Sequence, residues 1–343
     1  MLAVVVTGPR EVALGSLPEP SPGPGQVKLR VRYVGICGSD LHELESGRDR
    51  RAFGMSAVMG HEFSATVVET GPDVDGLAPG DLVTVNPSQW CGRCDACREG
   101  QTWRCASPAG AIGYGTPGAY AEFVVASAAT CVRANGRARP DLLALTEPFA
   151  VALHALRRGR LSRGEPVVVT GCGPIGLLCV LAARHLGAGP IVASDPVASR
   201  RDRAAELGAT RSVAPRDLAP AIRDAAGVDQ VPLAIEASGV AAGMSDCLAQ
   251  LARGGRAVVA GVNEEPYPLS LFQTLVMEHE IVGSLGYTHD EFCEAAELIG
   301  TGAVDVGPVI SHRLPLREGP RVFRELVSDR GEYHKVLLSP DEA

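Results

Sequence analysis

The stretch Pro166-Val-Val-Val-Thr170-Gly171-Cys172-Gly173-Pro174-Ile175-Gly176 decides the architecture of the second half of this 343-residue chain. Its opening run, Pro166 to Thr170, is continuously apolar, as expected of a strand buried on both faces of a parallel sheet. The six residues that follow fit G-x-G-x-x-G, and apolar residues at helical spacing continue from Ile175 to Leu186. A glycine loop between a buried strand and a helix is the context that gives this motif meaning. Gly171 makes the turn, Gly173 lets the backbone approach a pyrophosphate, and Gly176 lets the helix pack on the sheet. Pro174 and Ile175 open the helix, whose N-terminus attracts negative phosphates. An ordinary strand-to-helix turn is the plainer alternative.

Asp195 ends the next strand-like run, Ile191–Asp195, 24 residues after Gly171. A carboxylate there accepts hydrogen bonds from both adenosine ribose hydroxyls and repels a 2′-phosphate, which favours NAD over NADP. A helix N-cap role is also open, because Asp195 precedes Pro196 and a helix. Basic residues nearby, Arg200 among them, argue the other way, since they suit a phosphate.

The strand–helix alternation continues through a helix at Ser199–Leu207 closed by Gly208, then Pro232–Glu236, a helix to Leu251, Arg256–Ala260, a helix near Ser270–Met277 and Glu280–Ser284. Such repetition indicates a doubly wound α/β domain. The first half differs. Val27–Val34 alternates apolar and polar side chains, the period of a strand with one buried face. It follows a Pro- and Gly-rich lead-in at Pro18–Gly25. Ala65–Glu69, Asp81–Val85 and Ala121–Val125 are further short β-type runs. The division expected is a predominantly β region over 1–150, an α/β domain over 151–289, and a tail over 290–343 that returns to the first region.

Composition excludes several classes. A formal charge of -8 argues against a phosphate-backbone partner, and 4% aromatics against a stacking platform for single-stranded nucleic acid. No apolar stretch reaches the ~20 residues of a membrane span. The first residues lack the basic segment of a secretion signal, and the cysteines outside one cluster show no paired framework, so a reduced, cytoplasmic protein is expected.

That cluster is Cys91, Cys94, Cys97 and Cys105, spaced C-x2-C-x2-C-x7-C inside a lobe at about 86–107. Steps this short suit four thiolates converging about 2.3 Å from one zinc ion, a closed structural site. A second, open set lies upstream: Cys37 in Gly-Ile-Cys-Gly-Ser-Asp-Leu-His, His61 and Glu62 in Gly-His-Glu, and Glu147 in Thr-Glu-Pro. A thiolate, an imidazole and one or two carboxylates suit a catalytic zinc with an exchangeable position. Spacing alone leaves simpler readings open: Cys37 as a small buried apolar residue, His61 as a core histidine, Glu147 as a cap.

Taken in order, Cys-Gly-Ser-Asp-Leu-His, Gly-His-Glu-Phe, Gly-Asp-Leu-Val, the four-cysteine lobe, Thr-Glu-Pro and Gly-Cys-Gly-Pro-Ile-Gly resemble the zinc-dependent medium-chain alcohol dehydrogenases from about Gln26 to Ser339. Within that family the chain is most similar to the polyol, sorbitol, threonine and 2,3-butanediol dehydrogenases. The resemblance implies a GroES-like catalytic domain with a structural zinc lobe, joined to a Rossmann domain. It implies two zinc ions per chain and NAD, with Cys37 and His61 ligating the catalytic ion and Glu62 and Glu147 competing for the third protein position. It implies that Ala237, Ser238, Gly239, Gly261, Val262 and Leu285 line the nicotinamide pocket. The resemblance also implies that Ser39 takes the proton of the substrate hydroxyl, which passes through the cofactor ribose to His42 and exchanges there with solvent. A small alcohol or ketone is the expected partner, in a homodimer or homotetramer. Phe53, Tyr114, Leu285 and Tyr287 are candidate pocket walls. Arg48–Arg51 is either a solvated loop or a holder of an anionic substrate group.

Overall fold

The structure is a computed structural model that describes residues 1–90, 94–107, 110–134, 138–263, 266–267, 269–328 and 333–341. It divides into two compact units, residues 1–147 with 288–343, and residues 148–287. The division falls inside the helix Thr146–Arg158.

The first unit is built on a seven-stranded sheet. Its order is Ile310–Pro315, Lys335–Ser339, Gln26–Gly35, Glu62–Thr70, Leu82–Val85 and Cys131–Arg133, with Phe123–Ser127 also paired to Gln26–Gly35. The inward side chains of the long central strands, Val27, Leu29, Val31, Phe63, Ala65 and Val67, are all buried and form one core with Val83 and Val85. Alternation along Gln26–Gly35 is the cause, because one face of that strand is apolar throughout. Register then places chemistry. Gly35 lies opposite Glu62 on one side and opposite Leu337 on the other. The last strand of the chain is thereby set beside the start of Glu62–Thr70.

The second unit carries six parallel strands in the order Arg211–Val213, Ile191–Ser194, Val167–Thr170, Val231–Glu236, Leu251–Val259 and Glu280–Gly283. Numbered along the chain from Val167–Thr170, that order is the 3-2-1-4-5-6 of dinucleotide-binding doubly wound sheets. Val167, Val168 and Val169 are completely buried, as a strand covered on both faces requires. The glycine loop opens the helix Pro174–His185 with Pro174 in its first turn, where a missing N–H costs nothing. A Cβ on Gly176 would run into the Gly171 carbonyl, so the third glycine is demanded by packing of the loop on itself.

Candidate functional site

In the first unit, Cys37, His61 and Glu62 converge, with one potential ligand atom from each lying within 4.8 Å of the others. Two elements deliver them. Cys37 caps the helix Gly38–Ser46, whose start is held by the Cys37 N–H donating to Asp40 Oδ2 at 3.1 Å. Glu62 begins the strand Glu62–Thr70, and His61 immediately precedes it. The donor types match zinc, which takes S, N and O ligands at about 2.0–2.3 Å. Glu147 does not join this group; it sits half-buried in the first turn of Thr146–Arg158.

Around the triad lies a buried polar shell. Asp40 Oδ1 is 3.7 Å from His61 Nδ1, and Asp40 Oδ2 accepts the Tyr120 hydroxyl at 2.6 Å. A carboxylate behind the imidazole orients a metal-binding histidine. Burial disfavours the imidazolium, yet Asp40 and Cys37 outweigh it and hold His61 well above its ordinary value. Lys335, fully buried on the last strand, donates to Glu62 Oε2 at 2.6 Å, Oε1 at 2.9 Å and the Ile36 carbonyl at 3.0 Å. Burial opposes its charge, but Glu62 and then Cys37 raise the Lys335 ammonium above its usual range. A carboxylate held by an ammonium keeps lone-pair directions free for a cation.

Ser39 is half-buried in the first turn of Gly38–Ser46, and the Tyr114 hydroxyl donates to its Oγ at 2.8 Å. The Tyr114 ring is tilted against His61 with centroids 5.3 Å apart. Burial pushes the Tyr114 phenol up to about 12. His42 is exposed on the same helix, 3.8 Å from Glu45. Arg50 is buried and consumed by structure: its guanidinium donates to the Ser56 and Gly113 carbonyls at 2.9 and 2.7 Å. Phe53 stands exposed.

The zinc lobe shows three of its four cysteines. Cys94 Sγ is 3.5 Å from Cys97 Sγ and 4.0 Å from Cys105 Sγ. Sulfurs around one tetrahedral ion lie about 3.8 Å apart, so these fit a shared zinc. Cys91 lies outside the described residues. None of the described cysteines is joined in a disulfide.

In the second unit every cofactor candidate falls at or beyond the carboxyl end of a parallel strand, where ligands of such sheets bind. Gly171, Gly173, Pro174, Ile175 and Gly176 follow Val167–Thr170; Ala237, Ser238 and Gly239 follow Val231–Glu236; Gly261 and Val262 follow Leu251–Val259; Leu285 follows Glu280–Gly283 and is exposed. A Cβ on Gly171 would come 2.6 Å from Ser238 Cα, and one on Gly239 2.6 Å from the Val262 carbonyl, so these loops touch. Asp195 is buried. Its Oδ2 accepts the Cys172 N–H and its Oδ1 the Val197 N–H, both at 2.8 Å, while Arg200 Nη1 stands 3.9 Å away. Asp195 therefore braces the glycine loop. It does not cap the helix Ala198–Glu206, whose N-cap is Val197.

Sequence reading passed over Asp40, Tyr120, Lys335 and Glu236. Glu236 is a buried carboxylate that accepts the Ser238 and Gly239 N–H groups at 2.7 and 2.9 Å and the Ser238 hydroxyl, fixing the 237–239 loop. Asp40 alone carried a local signal, its place three residues after Cys37.

A zinc-type donor set in one unit and a dinucleotide cradle in the other define a metal-dependent, nicotinamide-dependent oxidoreductase. Residues 23–136 match the alcohol dehydrogenase GroES-like domain, and residues 174–301 match the zinc-binding dehydrogenase domain. The 2-dehydro-3-deoxy-L-galactonate 5-dehydrogenase of Pseudoalteromonas atlantica is 36% identical over 308 residues, 89% of each chain. Human sorbitol dehydrogenase is 31% identical, covering 99% of this chain and 96% of its own. A zinc-binding dehydrogenase of Sinorhizobium meliloti, solved bound to NADP, superposes with a TM-score of 0.89 at 32% identity over 99% of both chains. The chain belongs to the zinc-dependent alcohol dehydrogenase family, and zinc and NAD(P) are the cofactors expected of it. Among the described residues no helix is long and apolar enough to cross a membrane.

Proposed function

We propose that the protein oxidises a secondary alcohol within a diol or polyol, or reduces the matching ketone, with NAD as the preferred acceptor. The observation that carries this reading is the convergence of Cys37, His61 and Glu62 with a hydroxyl pair, Ser39 and Tyr114, in the same unit. Cys37, His61 and Glu62 would hold the catalytic zinc, with Glu147 the alternative carboxylate; Cys94, Cys97 and Cys105, with Cys91, would hold the structural one. When bound, zinc supplies Lewis acidity that makes an alcohol hydroxyl acidic, and the nicotinamide accepts hydride. The chain's own groups do the rest. Ser39 accepts the hydroxyl proton, and His42, exposed on the same helix, exchanges it with solvent. Gly171–Gly176 seats the pyrophosphate, and Asp195 holds that loop and presents a carboxylate to the ribose.

A butanediol-type substrate follows from the sequence resemblance, and the threonine and sorbitol types share the same chemistry. Arg50 is a poor holder of an anionic substrate group, because it is buried, donates to two carbonyls and has Glu43 3.7 Å from its Nη1. The deciding experiment is a panel of diols, polyols, sugar acids, L-threonine and simple secondary alcohols, each with NAD and NADP, read by absorbance of the reduced cofactor. Reduction with a vicinal diol or polyol and NAD is expected. No reduction by zinc-replete protein with any member refutes the reading.

A homo-oligomer formed through the second unit is part of the same proposal. Leu271, Phe272 and Leu275 on the helix Leu271–Met277 are each more than 70% exposed, next to the edge strand Glu280–Gly283. An open strand edge beside an apolar helix face is a ready pairing surface. Light scattering should show a dimer or tetramer that Phe272→Asp with Leu275→Asp dissociates; a wild-type monomer refutes it. A cytoplasmic location belongs to the same proposal, in keeping with described cysteines that form no disulfide. Recovery from fractionated cells in a disulfide-bonded, exported form would overturn it.

A further inference from the structure

Tyr114 enters the first unit's site from a turn with no ligand of its own. Its hydroxyl reaches Ser39, its ring leans on His61, and its backbone is clamped. The clamp has three parts. Ser56 N–H donates to the Tyr114 carbonyl at 2.6 Å, and Tyr114 N–H donates to the Ala111 carbonyl at 3.0 Å. Buried Arg50 binds the carbonyl of Gly113, the preceding residue, while its guanidinium carbon lies 6.0 Å from the Tyr114 ring centroid. Gly113 itself has φ +84, and a Cβ there would come 2.8 Å from the Gly60 carbonyl, so this turn is pressed against the segment leading to His61.

Ser39 is less well fixed by its own helix. It lies in the first turn of Gly38–Ser46, and the Gly35 and Ile36 carbonyls before it accept from Tyr120 and Lys335, so its own helix does not select among the staggered positions open to its hydroxyl. A serine hydroxyl offers one donor and two acceptor lobes. Used as a relay, it needs one lobe for the incoming proton and its own O–H aimed at the next acceptor. A third, unassigned lobe allows rotation away from that alignment.

We propose that Tyr114 is the positioning residue of the proton relay: its phenol fills one acceptor lobe of Ser39 and leaves that hydroxyl one lobe for the substrate oxygen and one O–H to pass on. This rests on the dehydrogenase reading with Ser39 as proton acceptor. In the relay Ser39 gains the substrate hydroxyl's proton as its own proton leaves to water or to the exposed His42 imidazole. Tyr114 keeps its proton throughout. No other bond changes.

The test compares wild type, Tyr114→Phe, Ser39→Ala and the double variant as zinc-loaded enzymes. Tyr114→Phe keeps the ring against His61 and deletes only the hydroxyl. It should lower kcat by about tenfold with little change in KM, a fraction of the 10²–10⁴ a proton-transfer group supplies. The kinetic solvent isotope effect on kcat should rise, and zinc content should match wild type. In the Ser39→Ala background the same change should add nothing. A crystal structure of Tyr114→Phe should show Ser39 Oγ spread over more than one rotamer. The proposal is overturned if Tyr114→Phe keeps wild-type kcat and isotope effect, or if it costs the same factor with and without Ser39. It is equally overturned if zinc is lost in proportion to activity, because Tyr114 would then support His61 alone. Absence of turnover by wild type on every substrate would refute the dehydrogenase reading instead, and the Ser39 rotamers, which need no turnover, would still decide this one.

Discussion

Replacing Lys335 with Met should destabilise the metal-free protein severely and the zinc-loaded protein much less. The ammonium makes three hydrogen bonds, at 2.6 and 2.9 Å to the two Glu62 oxygens and at 3.0 Å to the Ile36 carbonyl. Both side chains are 2% exposed or less. Met matches the length of the stem, so little volume is lost. What remains is a buried carboxylate with no cation and a carbonyl with no donor. Breaking a buried pair from one side costs about 3–5 kcal/mol. At roughly 2–4 °C per kcal/mol for a unit of this size, the melting transition of metal-free protein should fall by about 6–20 °C. Zinc bound by Cys37, His61 and Glu62 would take over neutralisation of that carboxylate, so the gap between stripped and loaded protein should widen in the variant. The assay is differential scanning calorimetry on chelator-treated and zinc-reconstituted samples of wild type, Lys335→Met, Lys335→Arg and the double change Lys335→Met with Glu62→Gln. The double variant, with both charges gone, should recover most of the loss. Metal-free Lys335→Met melting within about 2 °C of wild type would refute the energetic argument. An equal loss in stripped and loaded protein would show that Glu62 is not neutralised by the ion.

Gly176→Ala should abolish dinucleotide binding, measured by calorimetric titration, while both zinc sites stay filled, because the new methyl meets the Gly171 carbonyl and pushes the loop open. Asp141→Asn should lower stability at neutral pH. Burial raises the Asp141 carboxyl, but its bonds to Arg139 and Arg313 outweigh that and hold it below the ordinary carboxylate value of 3.8. A lowered value stabilises the fold above 3.8, and the advantage disappears as pH falls through the native value, so the denaturation midpoints of the two proteins should converge in acid. Cys97→Ala should lose one zinc per chain and melt earlier, since a closed site contributes folding energy. Cys37→Ala should lose the other zinc and turnover but stay folded by circular dichroism; unfolding instead would make Cys37 structural.

Local chemistry carried much of this protein in its sequence. The buried valines before Gly171 and the three glycines after them specify strand, turn and helix through neighbours in the chain, and the observed Val167–Thr170 and Pro174–His185 follow from them. Cys37 is legible beside Asp40, and His61 beside Glu62, because each pair lies on one short segment. The helix Thr146–Arg158 was less legible: its apolar spacing holds, but the Pro148 near its start reads as a break until the first-turn position is known.

What only the tertiary structure decided is who stands next to whom across the sheet. Lys335 and Glu62 are 273 residues apart and meet because Gln26–Gly35 pairs on both sides, with Glu62 at one edge of Gly35 and Leu337 at the other. Tyr114 reaches Ser39 across 75 residues, and Tyr120 reaches Asp40 across 80, through turns clamped elsewhere. A buried lysine, a tyrosine hydroxyl and a carboxylate have no periodic signature, since each is tolerated only where its partner happens to lie. Donor types can therefore be read along the chain, whereas the partners that hold and orient them depend on strand register and burial, which no local window contains.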